Sequence, residues 1–280
     1  MTLERPDNLQ QALSLLAQSS WSVLSGGTDF YPSQQDNSQF IDVLDISGIG
    51  SLRSISQKNG CWEFGALTTW TDIINCSLPP AFDGLKLAAR EVGSVQIQNR
   101  ATLAGNLCNA SPAADGVPPL LTLDARVRLS DKSGHREMAL ADFITGNRAT
   151  QLRSDELLTA VMVPVSSVDG TSSFLKLGSR KYLVISIAMS AVRLEMNKDE
   201  TVSDIAIAVG SCSEVAQRLT DLEDHLKGKK LNASTLATIG QQPLDRLTPI
   251  SDVRASAQYR KVASAQLVRR TVEQAWSETV

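Results

Sequence analysis

Two short glycine-bearing segments hold the residue types best suited to gripping an anion: Leu24-Ser25-Gly26-Gly27-Thr28-Asp29 and Thr102-Leu103-Ala104-Gly105-Asn106. Glycine reaches positive φ at little cost and lets the backbone approach a ligand closely, so successive N–H donors can converge on one pyrophosphate. Thr and Asn side chains beside them add further hydrogen bonds. Taken together the segments point to a dinucleotide site, although either alone also suits an ordinary turn. The fingerprints GxGxxG and GxxxxGK[ST] are both absent from the 280 residues, which argues against a Rossmann or P-loop site.

Other chemistry is thinly supplied. Cys61, Cys76, Cys108 and Cys212 are scattered without a CxxC pair, and His135 and His225 lie in polar sequence. Neither a self-contained metal or iron–sulfur site nor a Ser-His-Asp or Cys-His triad is expected from such material. Cys61, Cys76 and Cys212 read as small packing residues, and Cys108, inside the second glycine region, reads as packing ahead of redox chemistry. Lys plus Arg number 27 against 30 Asp plus Glu, a formal net charge of -3, and the longest basic run is Lys227-Gly228-Lys229-Lys230. Nucleic acid is therefore an unfavoured partner. No apolar run reaches membrane-spanning length, and Met1-Thr2-Leu3-Glu4-Arg5-Pro6 lacks the apolar core of a signal peptide, so a cytoplasmic protein is expected.

The elements that must position these residues follow an α+β or α/β pattern. Asp7 or Asn8 can cap a first helix with Leu9, Ala12, Leu13 and Leu16 on its buried face. Strands are expected over Trp21 to Leu24, Phe40 to Leu44 and Cys61 to Phe64, the first running straight into Gly26-Gly27. A helix over Phe82 to Val92 stops at Gly93, a turn at Ser111 to Asp115 enters a helix through Leu120 and Leu121, and a strand starts at Val127 to Leu129. Asp115 is a helix cap or a ligand contact. Small and polar residues from Ser166 to Ser172 mark the best domain boundary, giving domains 1–170 and 171–280. Beyond it the pattern predicts strands over Phe174 to Leu177, Ser186 to Glu195 and Ile205 to Val209. A helix capped by Ser213 carries Val215, Leu219, Leu222 and Leu226, and a long one from Ser256 to Trp276 turns Tyr259, Val262, Ala263 and Val272 inward.

The two glycine segments belong to a longer series: Gly65-Ala66-Leu67-Thr68-Thr69, Ile97 to Asn106, Ala110-Ser111-Pro112-Ala113-Ala114-Asp115, Asp142 to Thr150, Asp155-Glu156-Leu157-Leu158, Pro164, Ser256 to Lys261 and Leu267-Val268-Arg269-Arg270. This order resembles the FAD-binding medium subunit of the molybdenum hydroxylases, the family of xanthine dehydrogenase and carbon monoxide dehydrogenase, over nearly the whole chain. The resemblance implies a PCMH or vanillyl-alcohol-oxidase-type domain of two α/β subdomains with FAD between them, followed by a small α+β C-terminal domain. It implies cofactor contacts from Leu24, Ser25, Gly26, Gly27, Thr28 and Asp29 on one side of the diphosphate. From the other side it implies contacts from Thr102, Ala104, Gly105 and Asn106, with Asn109, Ser111 and Asp115 approaching the cofactor. Leu158 would pack against the flavin and Lys176 would lie near its polar edge, unless Lys176 is a solvated strand residue. Three positions depart from the family pattern: Ser25 where Ala is common, Ala104 for the first glycine of Gly-Gly-Asn, and Gln98 where Arg is frequent. If position 104 requires positive φ, its Cβ costs about 1 kcal/mol.

The activity so implied is electron transfer. FAD would receive electrons from [2Fe-2S] clusters in a small partner subunit and pass them to NAD+ or another acceptor, while a large molybdopterin-binding subunit oxidises the substrate. No general acid, base or nucleophile is required of this chain. Arg148 is read as a surface residue, with an anionic partner or acceptor as its alternative role. Two other functions are weighed: a self-sufficient flavin oxidoreductase of the same fold, and a scaffold subunit that has lost FAD. Apolar surfaces meant for partners would make the free chain self-associate.

Overall fold

The structure, a computed structural model, describes residues 2–33, 41–241 and 244–279. Strand β1 (Leu3–Glu4) leads to helix α1 (Leu9–Leu16), where the Asn8 side chain accepts from the Gln11 N–H at 3.0 Å and Ala12, Leu13 and Leu16 are buried. Strand β2 (Ser22–Leu24), helix α2 (Phe30–Ser33) and strand β3 (Val43–Asp45) complete a small parallel sheet in the order β1-β3-β2. The strand expected from Phe40 thus begins at Val43; Phe40 itself lies outside the described residues.

A second sheet starts with β4 (Ile55–Lys58) and β5 (Cys61–Gly65), after which five helices intervene: α3 (Trp70–Asn75), α4 (Asp83–Glu91), α5 (Val95–Gln98), α6 (Leu103–Asn109) and α7 (Val117–Thr122). The chain returns through β6 (Arg126–Asp131), β7 (Gly134–Ala139), helix α8 (Leu140–Phe143), a hairpin of β8 (Ile144–Gly146) and β9 (Ala149–Thr150), and β10 (Leu157–Pro164). The antiparallel order is β4-β5-β10-β6-β7. Central β10 buries every residue from Leu157 to Val163, which is why its sequence is a nearly unbroken apolar run rather than an alternating one. Phe64, Trp70, Phe82 and Phe143 anchor the core of this region.

The third sheet, β11 (Thr171–Leu177), β12 (Ala188–Met196), β13 (Val202–Gly210) and β14 (Gln217–Arg218), is an antiparallel meander covered by α9 (Thr220–Leu226), α10 (Ala233–Ile239) and α11 (Ala257–Ser277). Two expectations change here. The helix placed from Ser213 starts only at Thr220, because Gln217 and Arg218 pair with β13 instead, and the Ser213 hydroxyl bonds the Cys212 carbonyl. Along α11, Tyr259 and Val262 are 51% and 58% exposed, and the inward face runs through Arg260, Ser264, Val268 and Val272. Arg260 sets that rotation by donating to the carbonyls of Ile187 and Ser211 and to Asp252.

Helix α7 joins the second and third sheets. All six of its residues are buried. Its C-terminal carbonyls are capped from the third sheet: Arg193 Nε donates to the Thr122 oxygen at 3.1 Å and Arg218 Nη1 to the Leu121 oxygen at 2.8 Å. No described helix is long and apolar enough to cross a membrane.

Candidate functional site

The loop after β2, helix α6, the entry to α7, the start of β10 and the end of β11 enclose a cleft of about 780 Å3, a size typical of small-molecule and cofactor sites. Both glycine segments reach it.

In the first segment, Gly27 has φ +78, and a Cβ built on Gly26 would lie 2.0 Å from the Arg100 carbonyl oxygen. Gly26 therefore allows the loop to pack backbone to backbone against the residues leading into α6, and Gly27 supplies the left-handed turn. Ser25, Gly26, Gly27, Thr28 and Asp29 line the cleft. Leu24 does not; it is buried at the end of β2, its carbonyl accepting from the Ile46 N–H at 2.9 Å, and its neighbour Val23 lines the cleft instead.

The second segment is the first turn of a helix. Thr102 caps α6, its hydroxyl accepting from the Gly105 N–H at 3.0 Å. Ala104 sits in that turn with helical geometry, so its Cβ carries no positive-φ penalty. Thr102, Ala104, Gly105 and Asn106 all face the cleft, and Asn106 Oδ1 is buried without a hydrogen-bond partner among the described residues. Gln98, the third departure, is buried and donates to the Arg90 carbonyl.

A polar chain crosses one end of the cleft. Arg148 Nη1 donates to Asn109 Oδ1 at 2.7 Å, and Asn109 Nδ2 donates to Asp29 Oδ2 at 3.2 Å. Arg148 has φ +56 and its N–H bonds the Ala110 carbonyl, which holds the turn between β8 and β9 onto the end of α6. Ser111 lines the cleft and also makes a turn, its hydroxyl accepting from the Ala113 N–H at 3.2 Å.

At the interface with the third sheet lies a buried charge pair. Lys176 Nζ is 2.7 Å from Asp115 Oδ2, with side chains 7% and 9% exposed, and the Ser186 hydroxyl donates to Asp115 Oδ1 at 2.9 Å. Lys176 is thus not a solvated strand residue. Burial pushes the Asp115 carboxyl upward, against the opposing pull of Lys176 and Ser186. Asp115 is no helix cap; it lines the cleft as the partner of Lys176. Leu158, 2% exposed, lies in that wall with Leu157.

Cys108, on α6, is half-buried on the cleft wall, and burial pushes its thiol up to about 12. His135 and His225 are exposed. Sequence reasoning missed Trp70, Leu183, Val184 and Ile185 as lining residues. Trp70 reads as an ordinary core aromatic after a Thr69 cap, and only the Cβ space at Gly116, closed by its ring at 2.4 Å, shows that it shapes the entry to α7. A backbone-lined glycine cradle, hydroxyls, an unpartnered amide oxygen, a lysine and an apolar wall together suit an extended dinucleotide with a diphosphate and a large flat ring.

Comparison with known proteins agrees. The family described as "FAD binding domain in molybdopterin dehydrogenase" matches residues 1–166, and "CO dehydrogenase flavoprotein C-terminal domain" matches residues 173–275. The glyceraldehyde dehydrogenase medium chain of Sulfolobus acidocaldarius is 31% identical over 263 residues, 92% of each chain. The xanthine dehydrogenase FAD-binding subunit of Escherichia coli O157:H7 is 28% identical across 97% of this chain and 94% of its own. Among solved structures, reconstituted CO dehydrogenase from Oligotropha carboxidovorans superposes with a TM-score of 0.92 at 25% identity, covering 99% of this chain and 98% of that one.

Proposed function

The chain belongs to the FAD-binding medium subunits of the molybdenum hydroxylase family, and from that premise we propose that it carries electrons from [2Fe-2S] clusters of a small partner subunit, through FAD, to NAD+ or another acceptor. The substrate is oxidised at molybdopterin in a large partner subunit, and the complex works in the cytoplasm. Residues 1–170 make the FAD-binding domain and residues 171–280 the C-terminal domain.

FAD supplies the redox chemistry when bound. The chain's own part is to bind and orient. Backbone groups of Ser25, Gly26, Gly27 and Thr28 hold the diphosphate from one side, and Thr102 and Gly105 hold it from the other. Asn106 would reach the diphosphate and the adjoining ribityl chain, and Asn109, Ser111 and Asp115 would approach the cofactor. Leu158 packs on the flavin ring and excludes water from it. Lys176, fixed by Asp115, keeps a positive charge near the ring's polar edge, where negative charge is favoured on reduction.

The observation that carries this reading is that two glycine segments 77 residues apart meet across one cleft, with Ser25 Oγ 3.2 Å from Thr102 Oγ1. The test is the absorption spectrum of the purified chain, alone and with its partner subunits, before and after FAD is supplied. An oxidised-flavin spectrum at one FAD per chain is expected. A folded chain that takes up no FAD in either setting overturns the proposal and favours a scaffold role.

A further inference from the structure

The loop of residues 24–29 and helix α6 are joined by two side-chain bonds, one at each end of the helix. At the helix start, Ser25 Oγ and Thr102 Oγ1 are 3.2 Å apart; at its end, Asn109 Nδ2 donates to Asp29 Oδ2 at 3.2 Å. The two rungs therefore span the full length of α6. They connect different sheets, because the loop hangs from β2 of the parallel sheet, while α6 lies within the excursion between β5 and β6 of the second.

Hydrogen counting gives the Ser25 rung its meaning. Thr102 Oγ1 already accepts from the Gly105 N–H at 3.0 Å. One Ser25–Thr102 bond uses one of the two hydroxyl protons and leaves the other for an acceptor in the cleft. With alanine at position 25, Thr102 alone would still present one proton. Serine thus adds no net donor to the site; what it adds is a tie between the two halves of the cradle. A tie present before binding lowers the ordering cost that a ligand must otherwise meet.

We propose that Ser25, with Thr102, Asp29 and Asn109, forms a two-rung clasp that fixes the spacing of the two glycine segments in the ligand-free chain, and that Ser25 is a positioning residue for the FAD diphosphate. The cofactor part rests on the function proposed above; the clasp itself does not.

The experiment is hydrogen–deuterium exchange on the full ligand-free chain, wild type against Ser25→Ala and Thr102→Ser, paired with FAD titration by flavin fluorescence. In Ser25→Ala the amides of residues 25–29 and 102–106 exchange faster while the melting temperature stays close to wild type, and the FAD dissociation constant rises roughly fivefold, the weight of one net hydrogen bond. Thr102→Ser keeps the hydroxyl and matches wild type in both readouts. Unchanged exchange in Ser25→Ala overturns the clasp. Faster exchange with unchanged FAD affinity overturns the positioning role. Faster exchange in a chain whose wild type binds no FAD retains the clasp and removes the function on which the cofactor part rests.

Discussion

Lys176 holds its charge out of solvent, and Asp115 is the group that makes this tolerable. Removing one member of such a pair leaves the other charge buried and unmatched, which costs about 3–5 kcal/mol. Lys176→Met is therefore expected to lower unfolding stability by an amount in that range in urea titration, and adding Asp115→Asn should recover a large part of it. Full loss in the double variant would show that the pair is not the cause. The glycine segments were legible in the sequence because their chemistry is local: Gly26, Gly27, Gly105 and Asn106 announce themselves by type and spacing. The Asp115–Lys176 pair was not, because 61 residues separate its members and neither flank names the other. Ala104 shows the same limit in reverse. A sequence pattern gives the residue that usually stands at a position, whereas its cost depends on a dihedral angle that only the helix start at Thr102 decides.

Strand β10 presents Leu157 and Leu158 to the cleft, and the turn before it is fixed by Glu156. Arg136 on β7 donates to both carboxylate oxygens, at 2.6 and 2.9 Å, and the Arg153 N–H adds a third bond. The Arg136 bonds hold the Glu156 carboxyl below its usual value of 4.5. A carboxyl lowered on folding stabilises the protein above its unfolded value and loses that contribution as pH falls through the folded value. The urea midpoint should thus fall as pH drops below 4.5, and Glu156→Gln, weaker by about 1–3 kcal/mol at neutral pH, should show a flatter profile there; equal slopes would remove Glu156 from the account. Elements with strong periodicity, such as α1 and α4, were readable in advance. Those whose boundaries depend on a distant arginine were not. Arg218 draws residues 217–218 into β14, and Arg260 turns α11 so that Tyr259 faces out, and both act through partners far away in the chain.

At the scale of the whole molecule, α7 and its arginine caps make the FAD-binding sheets and the third sheet one mechanical unit. The cleft draws walls from both, Leu158 from β10 and Lys176 from β11. A ligand bound there stabilises both together: FAD at a hundredfold excess over its dissociation constant should add about 2.7 kcal/mol, within a single transition followed by circular dichroism and flavin release alike. Two separated transitions, with only the first moved by FAD, would show the halves to be independent. The complete burial of α7 also bears on how the protein is made. Val117, Leu120 and Leu121 sit in the core shared with the first two sheets, while the helix also lies against β12 and β13, where Pro118 approaches Gly210 closely. A ribosome that has released only the first 166 residues holds a nascent chain in which the side of α7 that faces β12 and β13 is still uncovered. That side remains open to chaperones, and to other nascent chains, until roughly another forty-five residues have emerged from the exit tunnel, several seconds at the ordinary pace of synthesis.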